Sequence, residues 1–166
     1  MSVVILIRGN SGSGKTTVAK EIHHLLAPVS LYISQDVVRR EMLKVKDLPN
    51  NLAIGLIAQI LDYGMKHCDF VILEGILSEN KYGEMLRNTL KQADKVFAYY
   101  YDLSFEETLR RHETKENTDF GEKEMRSWFT PHDTIGLENE RIVDDNMTKE
   151  DMIQLVMKDL KLYKPN

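Results

Sequence analysis

Short apolar runs, each followed by a polar or glycine-rich stretch and then by apolar residues at helical spacing, set the pattern of this chain. Val3, Val4, Ile5, Leu6 and Ile7 form the first run, rich in β-branched residues and apolar on both faces, as in a strand covered by helices on each side. Val18, Ile22, Leu25 and Leu26 follow at a spacing that predicts a helix over 15–26, stopped by Pro28. Leu31, Tyr32 and Ile33 predict a second strand, and 37–43 a helix that Ser34 or Asp36 can cap. After the break at Pro49, Asn50 and Asn51, a long helical pattern runs over 52–65. Strands are predicted at 70–73, 96–103 and 141–143, with helices over 82–90, from Ser104 through Arg111, and over 148–160. Residues 112–124 are polar with little periodicity, which fits a mobile lid or a plain solvated loop.

Alternating strands and helices predict an α/β fold, a parallel sheet with right-handed crossovers between two helical layers. Ligands in such sheets bind beyond the carboxyl ends of the strands. The polar residues that follow each strand therefore acquire meaning: the stretch after Ile7, then Asp36, Glu74, Asp102 and Asp144.

The first of these stretches, Gly9-Asn10-Ser11-Gly12-Ser13-Gly14-Lys15-Thr16, matches G-x-x-x-x-G-K-[ST] at every fixed position. Its glycines let successive backbone N–H groups turn inward around phosphate oxygens. Lys15 is expected to reach the β- and γ-phosphates and Thr16 to sit on Mg²⁺, with Thr17 in the opening helix turn beside the nucleotide. A chance Gly/Ser turn is the competing account, and the preceding strand and following helix weigh against it.

Composition narrows the class. The 166 residues are 42% apolar and 29% charged, ordinary for one globular domain, and the net charge of -4 argues against broad binding to nucleic acid or anionic membrane. No stretch approaches the ~18–20 apolar residues of a membrane span, and the apolar N-terminal run is too short for a signal peptide. The single cysteine, Cys68, has no internal disulfide partner and reads as a small core residue; these features together predict a cytoplasmic protein. Oligomeric state is left open between monomer and homodimer.

Two roles fit Asp36: a carboxylate that orients or deprotonates an attacking hydroxyl, or a helix cap. Glu74 can hold a magnesium-bound water or contact substrate, or simply end a strand, and Gly75 beside it would admit a ligand close to the backbone. Arg110, Arg111, Lys115 and Arg126 lie in or beside the polar segment, where a guanidinium can clamp a phosphoryl group in transit or make a solvated ion pair. Arg39 and Arg40 are candidates to grip an anionic substrate. Trp128, Phe129, His132 and Asp133 are candidates to line an acceptor pocket, with core packing the alternative for Trp128. His23, His24, His67 and His112 have no metal-ligand spacing.

Through LIRGNSGSGKTT, ISQDVVRREML, VILEGIL and DLSFEETLRRHE, and more weakly EKEMRSWF, the chain resembles the small P-loop kinases that group with chloramphenicol phosphotransferase, gluconate kinase and zeta toxins. Within that set it is most similar to short bacterial proteins described as uridine kinase-like or as AAA-family ATPases. The resemblance implies a three-layer α/β/α fold with a five-stranded parallel sheet and a small helical lid at about 112–130. It further implies ATP with Mg²⁺ and transfer of the γ-phosphoryl group to a hydroxyl of a small molecule such as a nucleoside, sugar or antibiotic. Asp36 takes the acceptor-side carboxylate position, and Arg110 or Arg111 the lid-arginine position. A GTPase is disfavoured because the nearest match to N-K-x-D, Asn80-Lys81-Tyr82-Gly83, ends in glycine. A P-loop ATPase acting as a conformational switch is the remaining alternative, and a nucleic-acid end kinase would need a basic aromatic groove that is not evident.

Overall fold

The computed structural model describes residues 2–116 and 118–163. Its centre is β1 (Val3–Gly9), buried along its whole length because it is the middle strand of a five-stranded sheet. The order is β2 (Ser30–Ser34), β3 (Phe70–Gly75), β1, β4 (Lys95–Tyr101) and β5 (Arg141–Val143), with every pairing parallel. Ile5 stands between Ile72 and Phe97 in register.

Alternation along β1 divides the core in two. Val4 and Leu6 face one layer, where α2 (Leu52–His67) supplies Ala53, Ile57 and Leu61, and α3 (Glu84–Thr89) supplies Leu86. Ile5 and Ile7 face the other, packed by Val18 and Ile22 of α1 (Lys15–Leu25) and by Met152 and Val156 of α6 (Lys149–Leu162). Cys68 closes α2 and packs against the first of these clusters. The last layer elements are α4 (Phe105–Glu113) and the short α5 (Glu122–Trp128).

Three of the six α-helix starts among the described residues follow the side-chain chemistry of their caps. Asn51 Oδ1 accepts from the Ala53 amide at 2.9 Å, Ser104 Oγ from Glu107 at 3.2 Å, and Thr148 Oγ1 from Asp151 at 3.1 Å. Helix α1 differs: its N-cap is Gly14, with no side-chain cap and no acidic residue in the first turn.

Two predicted α-helices take another form. Residues 37–43 form a π-helical segment, Val37–Met42, in which Leu43 N donates to Val38 O and the chain leaves through Lys44 in the left-handed region. Asp36 makes no capping bond there; the cap is Ser34 Oγ, which accepts from Val37 N at 3.4 Å. The helix predicted over 82–90 begins earlier, as a π-helical turn Glu79–Gly83, which an Arg87–Glu79 ion pair of 3.0 Å ties to α3. Among the described residues no helix is long and apolar enough to cross a membrane.

Helix α2 contains two glycines in opposite surroundings. A Cβ on Gly55 meets nothing, whereas one on Gly64 lies 2.7 Å from Leu31 and 2.8 Å from the buried Val71. Gly55→Ala is expected to stabilise the protein by about 0.5–1 kcal/mol. Gly64→Ala is expected to destabilise it by about 1–3 kcal/mol through overpacking. Urea denaturation of the two variants checks the opposite signs.

Candidate active site

The turn from β1 into α1 is made by Gly12 (φ 85°) and Gly14 (φ 88°) in the left-handed region. At Gly12 a side chain is excluded twice, since its Cβ would lie 2.5 Å from the Thr108 carbonyl. Ser13 Oγ and Lys15 Nζ both donate to the Asn10 carbonyl, at 2.5 and 3.0 Å, and hold the loop in shape. The uncapped start of α1 then directs its amides and positive dipole end into the loop, a ready anion site.

Lys15 is buried, and burial pushes its ammonium down to about 8. Glu74 and Asp36 oppose that shift, and the ammonium of Lys115 adds to it. Glu74, at the end of β3, is buried. Both its oxygens accept from Thr16 Oγ1 at 3.1 Å, and Oε1 also accepts from Tyr32 OH at 2.9 Å. A hydroxyl and a carboxylate side by side are the hard oxygen donors that Mg²⁺ prefers, with phosphates and waters completing its shell. Among the described residues no cluster of three or more His, Cys, Asp or Glu forms a stand-alone metal site. Gly75 packs against Gln35.

Two cavities flank the loop. The larger, about 690 Å³, is lined on the loop side by Gly9, Asn10 and Ser11, and opposite by Asp36, Arg39 and Arg40. The smaller, about 510 Å³, is lined by Ser13, Gly14, Thr17, Arg110, Arg111 and Lys115, and by 145–149 after β5. One loop is thus the wall between them.

The residues predicted to act together divide between these cavities. Asp36, two-thirds exposed, lies in the larger with Arg39 at 3.6 Å. Arg40 there faces Asp119 at 3.6 Å. Trp128 lines the same cavity, half exposed rather than in the core, its ring 4.9 Å from Phe120, which stacks in turn on His112. Asp133 also lines it, but Phe129 packs on Phe105 and His132 pairs with Asp102.

Arg111 lines the smaller cavity beside the phosphate loop, and its donors are taken up by neighbouring groups. Its guanidinium donates to the carbonyls of Ser13 (3.0 Å), Met147 (3.0 Å) and Asp145 (3.4 Å) and to Glu107 (2.8 Å), so it fastens the loop to the segment after β5. Arg110, then Arg111, hold the Glu107 carboxyl down to about 2. Arg126 stacks over Phe105 and pairs with Glu122, away from both cavities. Lys115 makes no ion pair among the described residues and sits within electrostatic reach of Lys15.

Two contacts were not expected from sequence. Asn10, expected as part of the phosphate loop, also makes a reciprocal pair with Thr130: Nδ2 donates to its carbonyl at 2.8 Å and Oδ1 accepts from its amide at 2.9 Å. Arg8, fully buried, donates to Leu77 O (3.0 Å), Asp133 (3.2 Å) and Glu140 (3.3 Å), with its guanidinium 5.3 Å from the Tyr100 ring centre. Leu77, itself buried at φ 44°, is held on its other side by Gln35, which accepts from its amide at 2.8 Å. The only signal for Arg8 was a charge at the end of an apolar run.

A family model described as an AAA domain matches residues 4–130. No curated protein matches the sequence. Among solved structures, a gluconokinase from Sinorhizobium meliloti 1021 superposes with a TM-score of 0.67 at 17% identity, over 95% of this chain and 91% of that one. The Deinococcus radiodurans tunicamycin resistance protein gives 0.66 at 16% identity over the whole of both chains. The Mycobacterium tuberculosis APS kinase, in complex with AMPPNP and APS, gives 0.63 at 18%, over 96% and 98%. The fold is therefore the α/β fold of small P-loop kinases.

Arg8→Ala removes a fully buried guanidinium and leaves two part-buried carboxylates without their cation, and is expected to cost about 3–5 kcal/mol, measured by urea denaturation. Lys15 sets a pH dependence of two signs. Its folded value lies below the unfolded 10.5, so between about pH 8 and 10.5 the unfolded chain binds the extra proton and stability rises with pH. Affinity for a triphosphate runs the other way and falls as pH rises through about 8, because the ammonium loses its charge. Fluorescent-nucleotide titrations across that window check the trend, which Lys15→Arg is expected to flatten.

Proposed function

Because the chain belongs to the AAA-domain family of P-loop proteins and has the fold of small-molecule kinases, we propose that it is an ATP- and Mg²⁺-dependent kinase acting on a hydroxyl of a small molecule. One observation carries this reading: a single phosphate loop walls two cavities, one for a nucleoside and one for an acceptor. Phosphates lying over the loop would reach from one to the other, which is the geometry an in-line transfer requires.

The nucleoside belongs in the smaller cavity, with Arg110 at its rim and Thr17 in its wall. Arg111 acts by positioning, since it holds that wall to the loop. Lys15 neutralises the β- and γ-phosphates. Thr16 and Glu74 are the groups that would hold Mg²⁺, which supplies neutralisation of phosphate charge when bound.

Asp36 faces the acceptor cavity and is free of capping duty, which supports the role of base or orienting group for the hydroxyl. In the step itself the acceptor oxygen bonds to the γ-phosphorus while the bond from that phosphorus to the β–γ bridging oxygen breaks. The electron pair leaves with ADP, and the acceptor proton passes to Asp36. Lys115, at the start of the 112–130 lid, is the cation placed to meet the developing charge in place of Arg111. The lid then excludes water.

The test is ADP release across a panel of nucleosides, sugars, sugar acids and hydroxylated antibiotics. Acceptor-dependent release, abolished in Lys15→Ala, is expected. Asp36→Asn should lower turnover by about a hundredfold to ten-thousandfold with a much smaller change in ATP affinity. Slow hydrolysis indifferent to every acceptor and retained in Asp36→Asn would replace this proposal with a switch ATPase.

A further inference from the structure

The larger cavity is rich in charge, yet nearly all of that charge is already matched. Asp36 faces Arg39 and Asp119 faces Arg40, each at 3.6 Å, while Asp47 takes Lys81 at 3.2 Å. Asp133 is met from beneath by Arg8 at 3.2 Å, and Glu124 accepts from the Gly121 amide at 3.0 Å. Lys46 alone among the lining cations has no ion pair among the described residues, and it stands exposed, where solvent and salt screen it.

A carboxylate or phosphate entering such a site must shed water and find an unpaired cation. Here it would compete with Asp36, Asp119 and Asp47 for Arg39, Arg40 and Lys81, in a lining that holds five carboxylates against four cations. The competition is screened at the exposed Arg40–Asp119 pair and strongest at Lys81–Asp47. A hydroxyl meets no such barrier. It donates to the carboxylate of a pair, accepts from the cation, and leaves the charge balance unchanged.

The floor of the cavity is built for the same chemistry. Tyr100 OH accepts from the Asp133 amide at 2.8 Å, which leaves its own proton to donate. Asp133 takes Arg8 and the Glu79 amide on one oxygen, Oδ2, at 3.2 and 3.0 Å, so Oδ1 retains its lone pairs. A donor and an acceptor therefore lie side by side on rigid supports. Trp128 and Phe120, packed edge to face at 66°, add an apolar corner, and 690 Å³ suits a ligand of one or two rings.

We infer that the acceptor is a neutral, polyhydroxylated ring compound, held by hydroxyls inserted between ion pairs with one ring face against Trp128. This rests on the kinase reading for its place in a reaction, but the binding it describes is measurable without transfer.

Trp128 is the one tryptophan of the chain, so intrinsic fluorescence reports from this cavity. The full-length protein, with Mg²⁺ and AMPPNP, is titrated with glucose, myo-inositol and uridine, and with the anionic counterparts glucuronate, myo-inositol 1-phosphate and UMP. At least one neutral compound is expected to give a saturable change and to bind about tenfold or more tightly than its counterpart. In Asp119→Asn, which unpairs Arg40 on an exposed segment, that ratio is expected to shrink severalfold. Anionic compounds binding as tightly or more tightly overturns the inference, as does the lack of any saturable neutral ligand or an unchanged ratio in Asp119→Asn. Failure of the kinase reading looks different: a neutral compound binds, yet ATP yields no ADP.

Discussion

A guanidinium with no exposed surface sits at the last turn of the central strand, and the layer above the sheet is arranged to satisfy it. Burying an arginine is tolerable only when its donors find acceptors and its charge finds counter-charges. Arg8 gathers these from the Leu77 carbonyl, Asp133 and Glu140, segments remote from one another in the chain, and rests against Tyr100. The loop after β3, the segment after α5 and the approach to β5 are thereby fixed to the strand that carries the phosphate loop. Floor and loop share one anchor, so the larger cavity has a defined shape before anything enters it.

Backbone strain is placed consistently with that anchor. Leu77 is a buried non-glycine residue in the left-handed region, a conformation that costs about 1–2 kcal/mol and persists only when neighbours enforce it. Gln35 holds its amide and Arg8 its carbonyl, and the flanking Ile76 and Ser78 line the larger cavity. The π-helical turn at Val37–Met42, on the far side of the same cavity, is a second departure from regular geometry.

The five strands, the glycine loop and the helices flanking them were legible because each rests on local chemistry: β-branched runs, apolar spacing, or a proline that ends a helix. Residues whose roles depend on distant partners were not. Arg8 reads as an ordinary charge, since its partners lie 69 to 132 residues away. Arg111 leads Lys115 as a candidate on sequence, and only three dimensions show that carbonyls of two separate segments engage Arg111. The π-helical turn at 37–42 carries the apolar spacing of an α-helix, so periodicity alone could not distinguish it, whereas Glu79–Gly83, with Tyr82 its one large apolar side chain, offers no periodicity to read.

The paired amide bonds between Asn10 and Thr130 carry a consequence of their own. A side chain of the phosphate loop imitates one rung of a β-ladder, so the loop and the segment after α5 are joined as if they were adjacent backbone. A displacement of the loop around an anion would carry Thr130 with it, and Thr130 lines the larger cavity beside Trp128. Were ligands bound in both cavities, linkage would require each to change the affinity of the other by the same factor.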